Sequence, residues 1–309
     1  MGNKKKYKLG IDLSFAKKRW PEPEKYLDIV ANHLGVKYLE FDSDVLDPLY
    51  FSEPVWRRLA KETAEMASGL GVEIHNYFTG TMTHCVNLLS HYDEEARADG
   101  MRWCREALKV ASALGARGIG GHFDTISSRD LMNLERYSLL WNNLVQAGRQ
   151  LAREAHALGH EFLLWEQIYA PSEVPYTIEQ TKRLFSELNG GEGVPVELVI
   201  DLGHACCQNF PHKPEDTDPY EWLRQLGGIT RVVHLQQCDG KGSRHWPFTP
   251  EYNSIGIVEP QKTLDALDES RNEDIYLFME IFFSLGDSDE VVLEAMKRSV
   301  DYWRKFVED

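Results

Sequence analysis

Short apolar runs of four to seven residues recur along the chain and alternate with longer stretches of helical spacing. The runs cover residues 8–13, 38–41, 72–76, 118–122, 162–166, 198–201, 232–235 and 275–281. Each is rich in Val, Ile, Leu and aromatic residues and predicts a β-strand buried on both faces, as in a parallel sheet covered by helices. Between them, residues 22–34 place Tyr26, Leu27, Val30 and Leu34 on one side of a helix, and residues 54–70 do the same with Leu59, Thr63, Met66 and Leu70. Further amphipathic helices are predicted over 96–114, 131–158, 177–188, 219–226, 260–267 and 290–306. Five helices run into Leu-Gly: Gly35, Gly71, Gly115, Gly159 and Gly227 stand where a left-handed C-cap is expected.

Strict alternation of strand and helix implies parallel strands joined by right-handed crossovers. Eight such units in 309 residues fit a closed (β/α)8 TIM barrel better than an open doubly wound sheet. No glycine-rich dinucleotide fingerprint follows the first strand. Without a linker, low-complexity tract or composition break, residues 1–309 read as one α/β catalytic domain. The long segment 236–258, between the seventh strand and its helix, is expected to be a lid or binding loop.

Net charge changes the list of partners. At −15 the chain is a poor match for nucleic acid, whose phosphates need a basic face. No apolar stretch is long enough for a membrane span, and the N-terminal MGNKKKYKLGIDL lacks the apolar core of a secretory signal. Five cysteines, an odd number with neither zinc nor disulfide spacing, predict free thiols and a cytoplasmic protein. A homo-oligomer is compatible with all of this.

Four strands end on a charged or imidazole group: Glu166 in EFLLWEQ, Asp201 in VELVIDLGH, His234 in ITRVVHLQQ and Glu280 in DIYLFMEIFF. One such residue alone is ordinarily an ion-pair partner or a helix cap. Four in the last four strands are different, because burying them unpaired costs several kcal/mol each, on the order of the desolvation penalty of a charge. In a barrel they converge at the C-terminal mouth. Three carboxylates and one imidazole suit one divalent cation such as Mn²⁺, Co²⁺ or Mg²⁺. His204, His122 at the end of strand four and His75 at the end of strand three are expected to reach the same mouth.

Trp165-Glu166, Asp201-Leu202-Gly203-His204, His234 and Met279-Glu280 resemble the metal-site pattern of the xylose-isomerase-like TIM barrel superfamily of sugar isomerases and epimerases. The segments WEQIYAPSEVPYTIEQTKRL and HLQQCDGKGSRHWPFTPEYN are similar to the branch acting on tetrulose phosphates in erythritol breakdown. The resemblance implies a metal held by Glu166, Asp201, His234 and Glu280, with Glu166 and Glu280 as an acid–base pair and His204 orienting a substrate oxygen. The chemistry is coherent. A proton beside a ketone is too weakly acidic for a carboxylate to remove in water, and a cation on the ketone oxygen stabilises the enediolate. A second carboxylate then returns a proton from the opposite face.

One basic island stands in the acidic chain: Lys241, Arg244 and His245, followed by Trp246. Arg244 is the expected phosphate anchor, and Trp246 a lid aromatic. Lys17, Lys18 and Arg19 form a second candidate patch. The expected activity is therefore 3-epimerisation of a small ketose or ketose phosphate. Aldose–ketose isomerisation or decarboxylation of a 3-oxo sugar acid is the nearest alternative, and a silent sugar-binding barrel is a further one.

Overall fold

The computed structural model describes residues 7–210, 213–270, 272 and 274–307. Eight parallel strands close into a barrel in sequence order: β1 (Lys8–Asp12), β2 (Tyr38–Asp42), β3 (Glu73–Phe78), β4 (Gly118–Gly120), β5 (Phe162–Glu166), β6 (Val196–Asp201), β7 (Thr230–Leu235) and β8 (Tyr276–Met279). β8 closes on β1 with Leu9 opposite Leu277 and Ile11 opposite Met279. The fold is the expected (β/α)8 barrel.

Two apolar regions hold it together. Phe78, Phe162, Leu164, Val199, Val232, Tyr276 and Phe278 fill the barrel interior. A larger core lies between the strands and the outer helices, anchored by fully buried Trp56, Trp141, Trp165, Trp222 and Trp303. This two-layer arrangement is why the strands are apolar on both faces. The helices start on side-chain caps such as Asp93, Asn133, Thr177, Asp218 and Ser288.

The boundaries shift by a few residues, and three shifts matter. β3 runs on to Phe78, so His75 lies near its start rather than at its end. A bulge against β2, where Leu39 faces Ile74 but Glu40 faces Asn76, adds the extra residue. β4 stops at Gly120, leaving His122 in the loop beyond. The predicted helix over 131–158 is two helices, Ser128–Leu131 and Leu134–Ala157, each with its own N-cap. Four of the five glycine caps are left-handed as expected (φ 68, 71, 72 and 83° at Gly35, Gly71, Gly115 and Gly159). Gly227 is the exception: with φ −55° it stays right-handed and opens a 3-10 turn, Gly227–Ile229.

Among the described residues, no helix is long and apolar enough to cross a membrane. All five cysteines are free.

Candidate active site

The ends of β5 to β8 bring four side chains to one point. Atoms of Glu166, Asp201, His234 and Glu280 that can ligate an ion lie within 4.8 Å of one another. His234 Nδ1 is at the centre, 3.2 Å from Glu166 Oε1, 3.2 Å from Glu280 Oε2 and 3.9 Å from Asp201 Oδ2. One ring nitrogen carries at most one proton, so it can satisfy only one of three carboxylates. Glu280 Oε2 is accordingly buried without a hydrogen-bond partner, despite its closeness to the ring. A divalent ion at this point would accept an oxygen from each carboxylate and the lone pair of Nδ1, so the residues fit the cation expected from the sequence.

A carboxylate that sequence reading did not single out fixes the central ring. Glu40, buried on β2, lies 2.6 Å from His234 Nε2. Its other oxygen accepts from Asn76 Nδ2 at 2.8 Å. Glu40 therefore holds the Nε2 proton and leaves Nδ1 facing the three carboxylates, as an outer carboxylate does for a ligating histidine. The signal was visible as one charge inside the apolar run Tyr-Leu-Glu-Phe.

Asp201 is held from both sides. Its Oδ1 caps the short helix Leu202–Ala205 through His204 N–H at 2.8 Å, and Gln236 Nε2 donates to both oxygens at 2.8 and 2.9 Å. Gly203 makes room for this: a Cβ there would sit 2.2 Å from the Gln236 amide carbon. His204 Nδ1 donates to Gln167 O at 3.1 Å, which leaves Nε2 as its free atom. His245, with φ 48°, stacks on Phe282 at 3.9 Å and stands 3.5 Å from Glu280 Oε2.

The electrostatics follow from this crowding. Burial opposes charge on His234, yet Glu40 and Glu280 hold its pKa well above the ordinary imidazole value. Burial also opposes charge on Asp201, but His204, His245 and His234 bring it down to about 2. Burial pushes Glu40 up, with His234 opposing. Asp12, at the end of β1, is raised well above the carboxylate range by burial and by Asp42 and Glu40.

A cavity of about 370 Å³ opens over these residues. Glu166, His204, His245 and Glu280 line it with Lys17, Phe78, Tyr169 and Phe282. Not every expected residue is there. His75 stacks on Phe162 and Tyr276, which open β5 and β8, so it belongs to the floor of the barrel; burial brings its pKa down to about 3. His122 packs beside the cavity against His84. Lys241 is exposed, its N–H turned to Asp239 Oδ1. The Arg244 guanidinium is clamped by both oxygens of Asp239 (3.0 and 3.1 Å) and, with Trp246, lines a separate surface groove. Trp246 stacks on Tyr252 and bridges Gln237 in an antiparallel pair, so residues 236–258 form an internally bonded loop. Arg244 thus spends its charge on its own loop, while His245 alone of the basic cluster lines the cavity.

Comparison with known proteins agrees with the barrel fold. The sequence profile of the xylose isomerase-like TIM barrel family matches residues 28–305. The chain belongs to that family. It is 23% identical to the D-erythrulose 1-phosphate 3-epimerase of Brucella abortus (strain 2308), over 94% of this chain and 93% of that protein. Among solved structures, a Rhodospirillum rubrum protein named as a candidate xylose isomerase superposes with a TM-score of 0.90 and 28% identity, covering 98% of this chain and 100% of the other. The D-psicose 3-epimerase of Clostridium cellulolyticum H10 shares the fold (TM-score 0.74, 16% identity, 98% and 100% covered). The matched relatives are carbohydrate epimerases and isomerases by name.

Proposed function

We propose that this protein is a divalent-metal-dependent 3-epimerase of a short ketose phosphate, with a tetrulose phosphate as the favoured substrate. The observation that carries the reading is Glu166 and Glu280 flanking His234 Nδ1 at 3.2 Å each, under a cavity sized for a small sugar phosphate. Likeness to the Brucella abortus epimerase supports the substrate class.

Glu166, Asp201, His234 and Glu280 would hold the cation. When bound, it supplies Lewis-acid stabilisation of negative charge at the ketone oxygen. The rest falls to the chain. One of Glu166 and Glu280 takes the C3 proton, and the other delivers a proton to the opposite face. The roles exchange in the reverse direction, since each epimer presents its proton to a different carboxylate. His204 Nε2, freed by the Nδ1 bond to Gln167, is positioned to bond a substrate oxygen. Phe78, Tyr169 and Phe282 exclude water from the carbanion-like species.

For the phosphate, Lys18 takes the place first expected for Arg244, since Lys17 is paired with Asp42 and Asp44. Lys17 lines both the main cavity and an adjoining recess of about 180 Å³, which Lys18 and Arg19 also line. Arg19 is committed to the carbonyls of Ser284 and Asp287, leaving Lys18 as the exposed cation of the recess. Metabolic work in the cytoplasm, with Mn²⁺, Co²⁺ or Mg²⁺ as the ion, accords with the free thiols and the oxygen-rich ligand set.

The test is incubation with D-erythrulose 1-phosphate in D₂O with Mn²⁺, followed by chiral separation and mass analysis. Epimerisation with one deuterium at C3, abolished by chelator, is expected. Aldose formation from a tetrulose phosphate with a free C1 hydroxyl, such as the 4-phosphate, would instead indicate aldose–ketose isomerisation. Lost CO₂ from a 3-oxo sugar acid would indicate decarboxylation, and no exchange on any tetrulose or pentulose phosphate would indicate a binding protein.

A further inference from the structure

A second set of ligand-type residues stands on the other wall of the same cavity. His84 ends the 3-10 turn Thr81–His84 after β3, His122 lies in the loop after β4, and Glu173 lies in the loop after β5. Atoms of the three that can ligate an ion lie within 4.8 Å of one another. His84 Nδ1 is 3.0 Å and His122 Nε2 3.8 Å from the same oxygen, Glu173 Oε1, and the two rings lie against each other with centroids 4.6 Å apart. His84 and Glu173 line the cavity together with Glu166, His204 and Glu280.

An ion pair between His84 and Glu173 accounts for only two of the three. His122 is fully buried, its Nδ1 has no hydrogen-bond partner, and its Nε2 meets only Thr125 Oγ1, at 3.3 Å, and the distant Glu173. Nε2, the ring atom nearest Glu173, is thus held by one long contact only, which a bound ion at that atom would replace. Burial, with His84 and His204 nearby, keeps the ring neutral, which is the form that binds metal.

We infer that His84, His122 and Glu173 form a second divalent-cation site, separate from the one at Glu166, Asp201, His234 and Glu280. Its two nitrogens and one oxygen differ in kind from three oxygens and one nitrogen. They favour a borderline ion of the Zn²⁺ class, where the first set favours harder Mn²⁺ or Mg²⁺. Three protein ligands leave a coordination position open, on the side where His84 and Glu173 meet the cavity, for an anionic oxygen of whatever occupies it. The inference does not depend on the proposed epimerisation.

The experiment is metal counting on the full-length protein, stripped with chelator, reloaded with excess Zn²⁺ and passed through gel filtration. Wild type is expected to retain two Zn²⁺ per chain, and His84→Ala and Glu173→Gln one each, with unchanged circular dichroism. Asp201→Asn is expected to keep the ion that those variants lose. Reloading with Co²⁺ gives a second readout: the stronger visible band of a four-coordinate, nitrogen-rich site is present in wild type and Asp201→Asn and lost from His84→Ala, which keeps only the weaker absorption of the oxygen-rich site. One ion per chain in wild type that survives His84→Ala would overturn the second site while leaving the first intact. Two ions in both wild type and His84→Ala would also overturn it. A single ion lost on His84→Ala would support the second site and count against the first, so the two readings fail separately.

Discussion

The two ends of the barrel carry similar numbers of charges and treat them in opposite ways. At the floor, where strands begin, Lys8 pairs with Asp274 (2.7 Å), Arg117 with Glu161 (2.7 Å) and Glu73 (3.5 Å), and Arg231 with Asp274 (3.2 Å) and Glu197. Every carboxylate has a permanent cation, and most of these groups keep contact with water. At the mouth, Asp12, Glu40, Glu166 and Asp201 are buried and Glu280 is half-buried, and among the described residues none has a lysine or arginine ion-pair partner. Lys17, the fixed cation nearby, is taken by Asp42 and Asp44. Burial opposes its charge, but those two carboxylates hold its pKa well above the ordinary lysine value. The floor is built to be finished by the chain alone. The mouth, with a histidine where a guanidinium would have closed the balance, leaves a deficit of positive charge that the proposed cation would fill.

The largest effect should fall on the mouth. Glu166→Gln and Glu280→Gln each lose a proton-transfer group, so turnover should drop by at least about 100-fold while the fold survives. Steady-state kinetics with circular dichroism checks this, and near-normal turnover in either variant removes that residue from the mechanism.

Next comes Glu40→Gln. It touches no substrate, but it loosens the proton on His234 Nε2 and with it the ring's orientation. Metal affinity should fall about 10- to 100-fold, the usual loss for an outer partner of a ligating histidine. Titration calorimetry with Mn²⁺ reads this directly. Unchanged affinity would mean that Glu40 only fills the barrel.

A third expectation concerns pH. In the ion-free protein His234 has a folded pKa raised above the unfolded value of about 6.5. Its stabilising charge is therefore fully present below about 6.5 and is lost as pH rises through the folded value. A cation at Nδ1 replaces that proton. The rise in melting temperature on adding Mn²⁺ should thus grow from pH 6 to pH 9, and a constant or shrinking difference would argue against a cation at this ring.

Smaller effects separate the remaining charges. Lys18→Ala should raise KM for a tetrulose phosphate by about tenfold, as for loss of a charge-assisted contact, and leave the unphosphorylated sugar unaffected. Arg244→Ala should treat both sugars alike, since its guanidinium is spent on Asp239. At the floor, Arg117→Met should cost only about 0–1 kcal/mol, as half-exposed pairs do, and leave metal affinity unchanged.

How far the sequence could be read follows the same division. The barrel was legible because helices on its outside force strands to be apolar on both faces, and Glu166, Asp201, His234 and Glu280 stood out as polar stops on such strands. Glu40 did not, because it lies within its strand and matters only through a contact 194 residues away. His84 and Glu173 lie in loops without periodic signal, and only the fold brings them beside His122. His75 was misplaced because the run 72–76 looked finished where a bulge and two more residues, Tyr77 and Phe78, carry β3 upward. In the cluster 241–246, charge content did not reveal that Asp239, two residues before Lys241, would claim the arginine.

A crystal structure grown with Mn²⁺ and measured at an energy where manganese scatters anomalously would bear most heavily on the contrast between floor and mouth. One anomalous peak is expected within about 2.0–2.6 Å of Glu166, Asp201, His234 Nδ1 and Glu280, the range of such bonds. A peak at another position, or none at saturating Mn²⁺ with His234 still bridging the carboxylates as a charged ring, would contradict the account.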